Sequence, residues 1–122
     1  MSEPADAHFD TGLRPEDLDP ERPRLFESPW GTLALYTVER EVLAAQAFCP
    51  HLQGPLFQGT LSGATITCPW HQWRYDLRTG RRLDAARPPF GHDARPIRVF
   101  AVERTASGTL LVRPRGPSSH AT

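Results

Sequence analysis

Cys49-Pro50-His51-Leu52-Gln53-Gly54-Pro55 and, further along, Cys68-Pro69-Trp70-His71-Gln72-Trp73-Arg74-Tyr75-Asp76 are the two stretches from which the rest of the chain can be read. They hold both cysteines of the sequence in a C-x-H turn and a C-x-x-H turn, separated by the sixteen residues from Leu52 to Thr67. A thiolate is a soft donor suited to iron-sulfur clusters or zinc, and imidazole suits both metals, so Cys49, His51, Cys68 and His71 make a complete four-ligand set. Pro50 fixes its own φ and stiffens the first turn. The spacing admits three centres: a cluster, a mononuclear zinc ion, or a Cys49–Cys68 disulfide. Zinc modules pair like ligands within each knuckle, whereas here each turn mixes cysteine with histidine. A disulfide would leave both histidines without a role and belongs to an oxidising compartment, for which the first residues carry no export signal.

Outward from these turns, the chain alternates short apolar runs with turn residues. Gly31 to Val38 and Val42 to Phe48 are rich in Val, Leu, Tyr, Thr and Ala around Glu39-Arg40-Glu41, which predicts a hairpin leading into the first turn. Between the two turns, Gly59 to Thr67 predicts two short strands joined at Ser62-Gly63, bringing Cys68 back toward Cys49. A short strand is expected over Trp73 to Leu77, a turn at Arg78-Thr79-Gly80, then a proline-broken loop through Pro88, Pro89 and Phe90. Ile97 to Glu103 and Thr109 to Val112 predict a last hairpin around Ala106-Ser107-Gly108. With no sustained 3.6-residue apolar period and no internal repeat, the pattern is that of an all-β antiparallel sandwich or barrel.

The chain of 122 residues is one domain in size, small enough for a bound cluster to contribute substantially to its stability. Residues 1–23 hold Pro4, Pro15, Pro20 and Pro23 among many acids and predict an irregular N-terminal arm; residues 114–122 predict a flexible tail. Hydrophobic residues make up 39%, without a run long enough for a membrane span, and the start lacks the features of a signal peptide. The expectation is a cytoplasmic protein without a membrane or nucleic-acid partner, since the formal net charge is zero. The charge is nevertheless uneven. Residues 1–22 carry seven acids against Arg14 and Arg22, while Arg74 to Arg98 include seven arginines against Asp76, Asp84 and Asp93. All the basic side chains are arginine, which fits either a docking surface for an acidic redox partner or ordinary solvated charge.

Taken together, Cys49-Pro50-His51 with Gly54-Pro55-Leu56, and Cys68-Pro69-Trp70-His71 with Trp73-Arg74-Tyr75-Asp76, resemble the Rieske 2Fe-2S family. The resemblance implies one Rieske 2Fe-2S cluster, with Cys49 and Cys68 on the inner iron and His51 and His71 on the outer one. It implies a Rieske-type β sandwich or barrel over residues 24–113, with an inserted cluster-binding subdomain at 47–78. Leu56 and Trp70 are expected to exclude water from the cluster, and His8, His92 and His120 to be solvated.

Two positions depart from the family pattern: Gln53 and Gln72 stand where glycine is frequent and can adopt positive φ. High-potential members place a serine and a tyrosine where this chain has Trp73 and Tyr75, and they add a disulfide for which no cysteines are left here. One donor to sulfur is therefore lost, which implies a potential in the lower half of the range of about −150 to +300 mV. Tyr75 is either the second donor or a core residue. By resemblance the chain is a one-electron ferredoxin between a flavin NAD(P)H reductase and a terminal oxygenase, not an enzyme itself. The alternatives are a redox subunit of a larger complex of the nitrite reductase type, and a zinc-stabilised interaction module.

Overall fold

Leu33-Ala34-Leu35-Tyr36 is buried at every position, so this strand is covered on both faces and loses the simple in-and-out alternation of a half-exposed strand. The computed structural model describes residues 7–49, 54–70, 72–83 and 96–115. Within them the strands are β1 (Phe9–Asp10), β2 (Arg24–Ser28), β3 (Gly31–Val38), β4 (Glu41–Gln46), β5 (Thr60–Ser62), β6 (Thr65–Thr67), β7 (Arg74–Asp76), β8 (Val99–Arg104) and β9 (Leu110–Pro114). Single 3-10 turns at Pro15–Asp17 and Leu56–Gln58 complete the regular structure.

Two antiparallel sheets result, one in the order β1-β9-β8-β4-β3-β2 and a small one in the order β5-β6-β7. The large sheet curls until its two edges meet: Phe9 on β1 stacks on Phe26 of β2, with ring centroids 6.1 Å apart and planes within 4°. Side-chain packing thus closes a barrel that the backbone ladder leaves open. Inside are Leu33, Leu35, Ala44, Phe100, Leu110 and Val112, with Phe26 and Trp30 against them. Outside, Ala34, Tyr36, Val38 and Ala45 form a second apolar face, and onto this face the small sheet packs through Ile66, Tyr75 and Leu77. Each buried Leu, Ile or Val side chain among these contributes about 1.5–3 kcal/mol relative to exposure.

The expected all-β antiparallel class is the observed one, and the hairpins fall where the sequence places them. The β3–β4 connection is a two-residue turn at Glu39-Arg40, both at positive φ (50° and 72°), the geometry of a type I′ hairpin built without the usual Asn-Gly. Between β5 and β6 the turn lies at Gly63-Ala64, one residue beyond the expected Ser62-Gly63, because Gly63 supplies the positive φ of 59° at the first central position. Two strands carry no clear strand signal in the sequence, β1 with two residues and β2 with charged Arg24 and Glu27, and both are edges. Beyond β1, the Thr11 N–H donates to the Leu110 carbonyl (2.9 Å) and the Leu110 N–H to the Leu13 carbonyl (2.7 Å), tying this acidic segment to β9. The expected loop through Pro88, Pro89 and Phe90 lies outside the described residues. No helix among the described residues is long and apolar enough to cross a membrane.

Candidate metal centre

Both cysteines leave a strand and enter a loop that is pinned in the same way. Cys49 follows β4 by three residues, and its N–H donates to the Gly54 carbonyl at 2.7 Å; Cys68 directly follows β6, and its N–H donates to the Trp73 carbonyl at 2.7 Å. In each case the bond closes a loop, or finger, from the cysteine to the fifth residue on. Gly54 fastens the first finger further, since its carbonyl also accepts the Leu56 N–H at 2.8 Å.

The two fingers touch through Gly54 and Trp70. A Cβ on Gly54 would lie 3.1 Å from two carbons of the Trp70 ring, so the indole rests directly on the glycine backbone and a larger residue would push it off. Trp70 shields the join with one side of its ring while remaining 45% exposed. Leu56 is fully buried in the same core as both cysteines, so the expected water-excluding role fits Leu56 better than Trp70. Gln72 has a φ of 62°: the backbone adopts the conformation anticipated for glycine there, with a side chain attached.

Cys49 and Cys68 are fully buried, free thiols, not a disulfide. They lie within hydrogen-bonding reach of each other. Desolvation pushes the Cys68 thiol above its ordinary range; a backbone bond at Trp70 opposes this, and the neighbouring Cys49 adds to it. Two buried thiols this close can share a cation, and metal binding is coupled to loss of the thiol protons. The cysteine pair therefore fits one side of a metal centre.

Tyr75 is both a core residue and within reach of a cysteine sulfur. Its side chain is fully buried, and its hydroxyl lies 3.2 Å from the Cys49 sulfur. Burial first, and the contact with Cys49 second, drive the phenol well above its ordinary pKa, so it stays protonated. A protonated phenol at this distance can donate to the Cys49 sulfur. Trp73 packs partly buried against the core around the cysteines and has no hydroxyl to offer. A feature the sequence did not reveal is Arg82, whose guanidinium carbon lies 3.4 Å from the Trp73 ring centroid.

His51 and His71, with Pro50, Leu52 and Gln53, lie outside the described residues, as does His92. Among the described residues no group of three or more His, Cys, Asp or Glu side chains gathers to hold a metal.

A small curled β barrel carrying a three-stranded sheet, from whose ends two pinned loops bring buried free cysteines together, defines the class: an all-β metal-centre protein. Residues 13–100 match the family described as the Rieske [2Fe-2S] domain, and the chain belongs to that family. Its cofactor is one Rieske-type 2Fe-2S cluster. The ferredoxin component of the naphthalene 1,2-dioxygenase system from Pseudomonas aeruginosa is 47% identical over 53 residues, 43% of this chain and 51% of that protein. The chain thus spans about half the length of the curated relatives it matches. A solved complex of reduced oxygenase and oxidized ferredoxin in carbazole 1,9a-dioxygenase contains a chain of similar fold, with a TM-score of 0.70 and 27% identity over 89% of this chain and 96% of that one. The ferredoxin of carbazole 1,9a-dioxygenase from Nocardioides aromaticivorans IC177 shares the fold, with a TM-score of 0.71 and 23% identity over 90% of this chain and 100% of that one.

Proposed function

We propose that the chain is a one-electron carrier, a Rieske ferredoxin that accepts electrons from a flavin NAD(P)H reductase and delivers them to a terminal oxygenase. The observation that carries this reading is the convergence of Cys49 and Cys68 as buried free thiols in two matching loops. The names of the relatives, ferredoxin components of dioxygenase systems, supply the pathway.

In this proposal Cys49 and Cys68 are the sulfur ligands, and His51 and His71, inside the same two loops of sequence, are the nitrogen ligands. A cluster of this type supplies reversible one-electron transfer near neutral pH. The chain's own residues have separate tasks: the Cys49 and Cys68 N–H bonds hold the loops, Leu56 seals their base, and Tyr75 donates to the Cys49 sulfur. With Trp73 in place of a hydroxyl donor, the potential belongs in the lower half of the Rieske range. The cluster-binding subdomain is assigned to residues 47–78; because the expected arm at 1–23 contributes β1, Leu13 and Leu18 to the sheet and its core, and β9 reaches Pro114, the domain is assigned to 9–114 rather than the expected 24–113. A separate small sheet, with β5 and β6 between the two loops and β7 directly after the second, supports the subdomain's limits. The free thiols fit a reducing compartment, and the cytoplasm is the location proposed.

Rapid mixing with a reduced flavin reductase and then with an oxidised ring-hydroxylating oxygenase tests the assignment. The expected result is uptake of one electron per chain, followed by its loss to the oxygenase at a rate that depends on ionic strength. A chain that takes up no electron, or cannot release it to any such oxygenase, would refute it.

A further inference from the structure

Seven arginines lie between positions 74 and 98, and the register of the small sheet separates one of them from its neighbours. After β7 the chain turns and runs back along it through Arg81-Arg82-Leu83. The Asp76 N–H donates to the Arg81 carbonyl (2.9 Å), Tyr75 bridges Arg82, and the Leu83 N–H donates to the Arg74 carbonyl (2.8 Å). Residues directly opposite in an antiparallel pair share a face, and residues two apart on one strand share it too. Arg82 is therefore on the face of Tyr75 and Trp73, the side that meets Cys49, while Arg74 and Arg81 point the other way.

Burial agrees with this register. Arg74 and Arg81 are exposed, whereas Arg82 is half-buried, its guanidinium face-on to the Trp73 indole at 3.4 Å. A cation over an indole face is held by the ring's quadrupole, more strongly as water is excluded. Trp73 is itself anchored, because its carbonyl receives the Cys68 N–H and its ring packs against the core that holds both cysteines.

We propose that Arg82, clamped on Trp73, is a positioning residue whose fixed positive charge favours the reduced, more negative state of the centre and so raises its reduction potential. The tryptophan that replaces a hydroxyl donor to sulfur thereby brings in a charge instead. This rests on the reading of Cys49 and Cys68 as cluster ligands.

The test is the midpoint potential of the intact, cluster-loaded protein, by spectroelectrochemical titration at low ionic strength, for Arg82→Lys, Arg82→Gln and Arg82→Glu, with Arg81→Gln as the outer-face control. The expected order is wild type and Lys highest, Gln lower, Glu lowest. Gln should shift the one-electron reduction equilibrium about three- to tenfold toward the oxidised form, tenfold being about 59 mV. Arg81→Gln should shift it by less than twofold. Trp73→Phe, which keeps an aromatic face, should fall between wild type and Gln.

A structural role alone would not rank the variants by charge. Potentials for Gln and Glu within twofold of wild type, or a Lys variant as low as Gln, would overturn the proposal while an unchanged visible spectrum left the ligand assignment intact. Wild-type protein without a Rieske spectrum would instead refute the ligand assignment, and this inference with it. If Arg82→Glu does not fold, the comparison of Lys with Gln decides.

Discussion

Replacing Tyr75 with Phe removes one oxygen atom from a fully buried side chain and leaves its ring in place. What is lost is the 3.2 Å contact to the Cys49 sulfur. A hydrogen bond to a charged group contributes about 1.5–3 kcal/mol net. Both redox states keep the bond, so only its strengthening on reduction bears on the potential. Taking that as about a third to a half of the whole gives about 0.5–1.5 kcal/mol. At about 59 mV per tenfold change for one electron, the potential of Tyr75→Phe should fall by about 20–60 mV. Spectroelectrochemical titration of the loaded protein measures this directly, with the visible spectrum showing that the cluster is retained. An unchanged or raised potential would refute the assignment of Tyr75 as a donor to a ligand sulfur.

Three further outcomes follow from the same structure. His71→Ala should abolish the Rieske spectrum and lower the iron content, whereas His92→Ala should preserve both; metal analysis and absorbance distinguish them, and an intact spectrum in His71→Ala would remove His71 from the ligand set. Among the described residues the buried Tyr36 hydroxyl has no hydrogen-bond partner, and burial pushes its pKa far up, so Tyr36→Phe should raise the unfolding free energy by about 1 kcal/mol in urea titrations. A loss of stability there would mean that the hydroxyl is satisfied in solution. Glu39→Asn with Arg40→Gly should stabilise the β3–β4 hairpin by about 1 kcal/mol, since both residues hold positive φ and each side chain is strained there. The exposed Arg78–Glu39 pair, at 4.0 Å, is too weak to offset that gain, and a lower thermal midpoint would contradict it.

Much of this molecule is legible in its sequence because its strands are local hairpins. Gly31 to Val38 and Val42 to Phe48 announce themselves by apolar content around Glu39-Arg40-Glu41, though the second strand in fact takes in Glu41 and ends at Gln46, and Gly63 announces its turn by the φ only glycine adopts easily. Strands β1 and β2 escape notice for other reasons: β1 is two residues long and its partner is distant, Val112 for Phe9, while β2 forms a local hairpin with β3 but its charged Arg24 and Glu27 hide the strand pattern. The same holds around the site. Cys49 and Cys68 are plain from their motifs, and Tyr75 is a candidate donor from its position, but its 3.2 Å contact needs the small sheet folded against the large one. Arg82 is hidden among similar residues until the pairing of Arg81 to Leu83 with β7 sets which arginine faces inward.

Nitrogen hyperfine coupling in the electron paramagnetic resonance of the dithionite-reduced protein tests the mixed ligand set most directly. With histidine isotopically labelled at its ring nitrogens, two coupled histidine nitrogens are expected, one of them lost in His51→Ala if the cluster survives. A reduced signal without histidine coupling, or a colourless protein holding one zinc ion and no sulfide, would contradict the account.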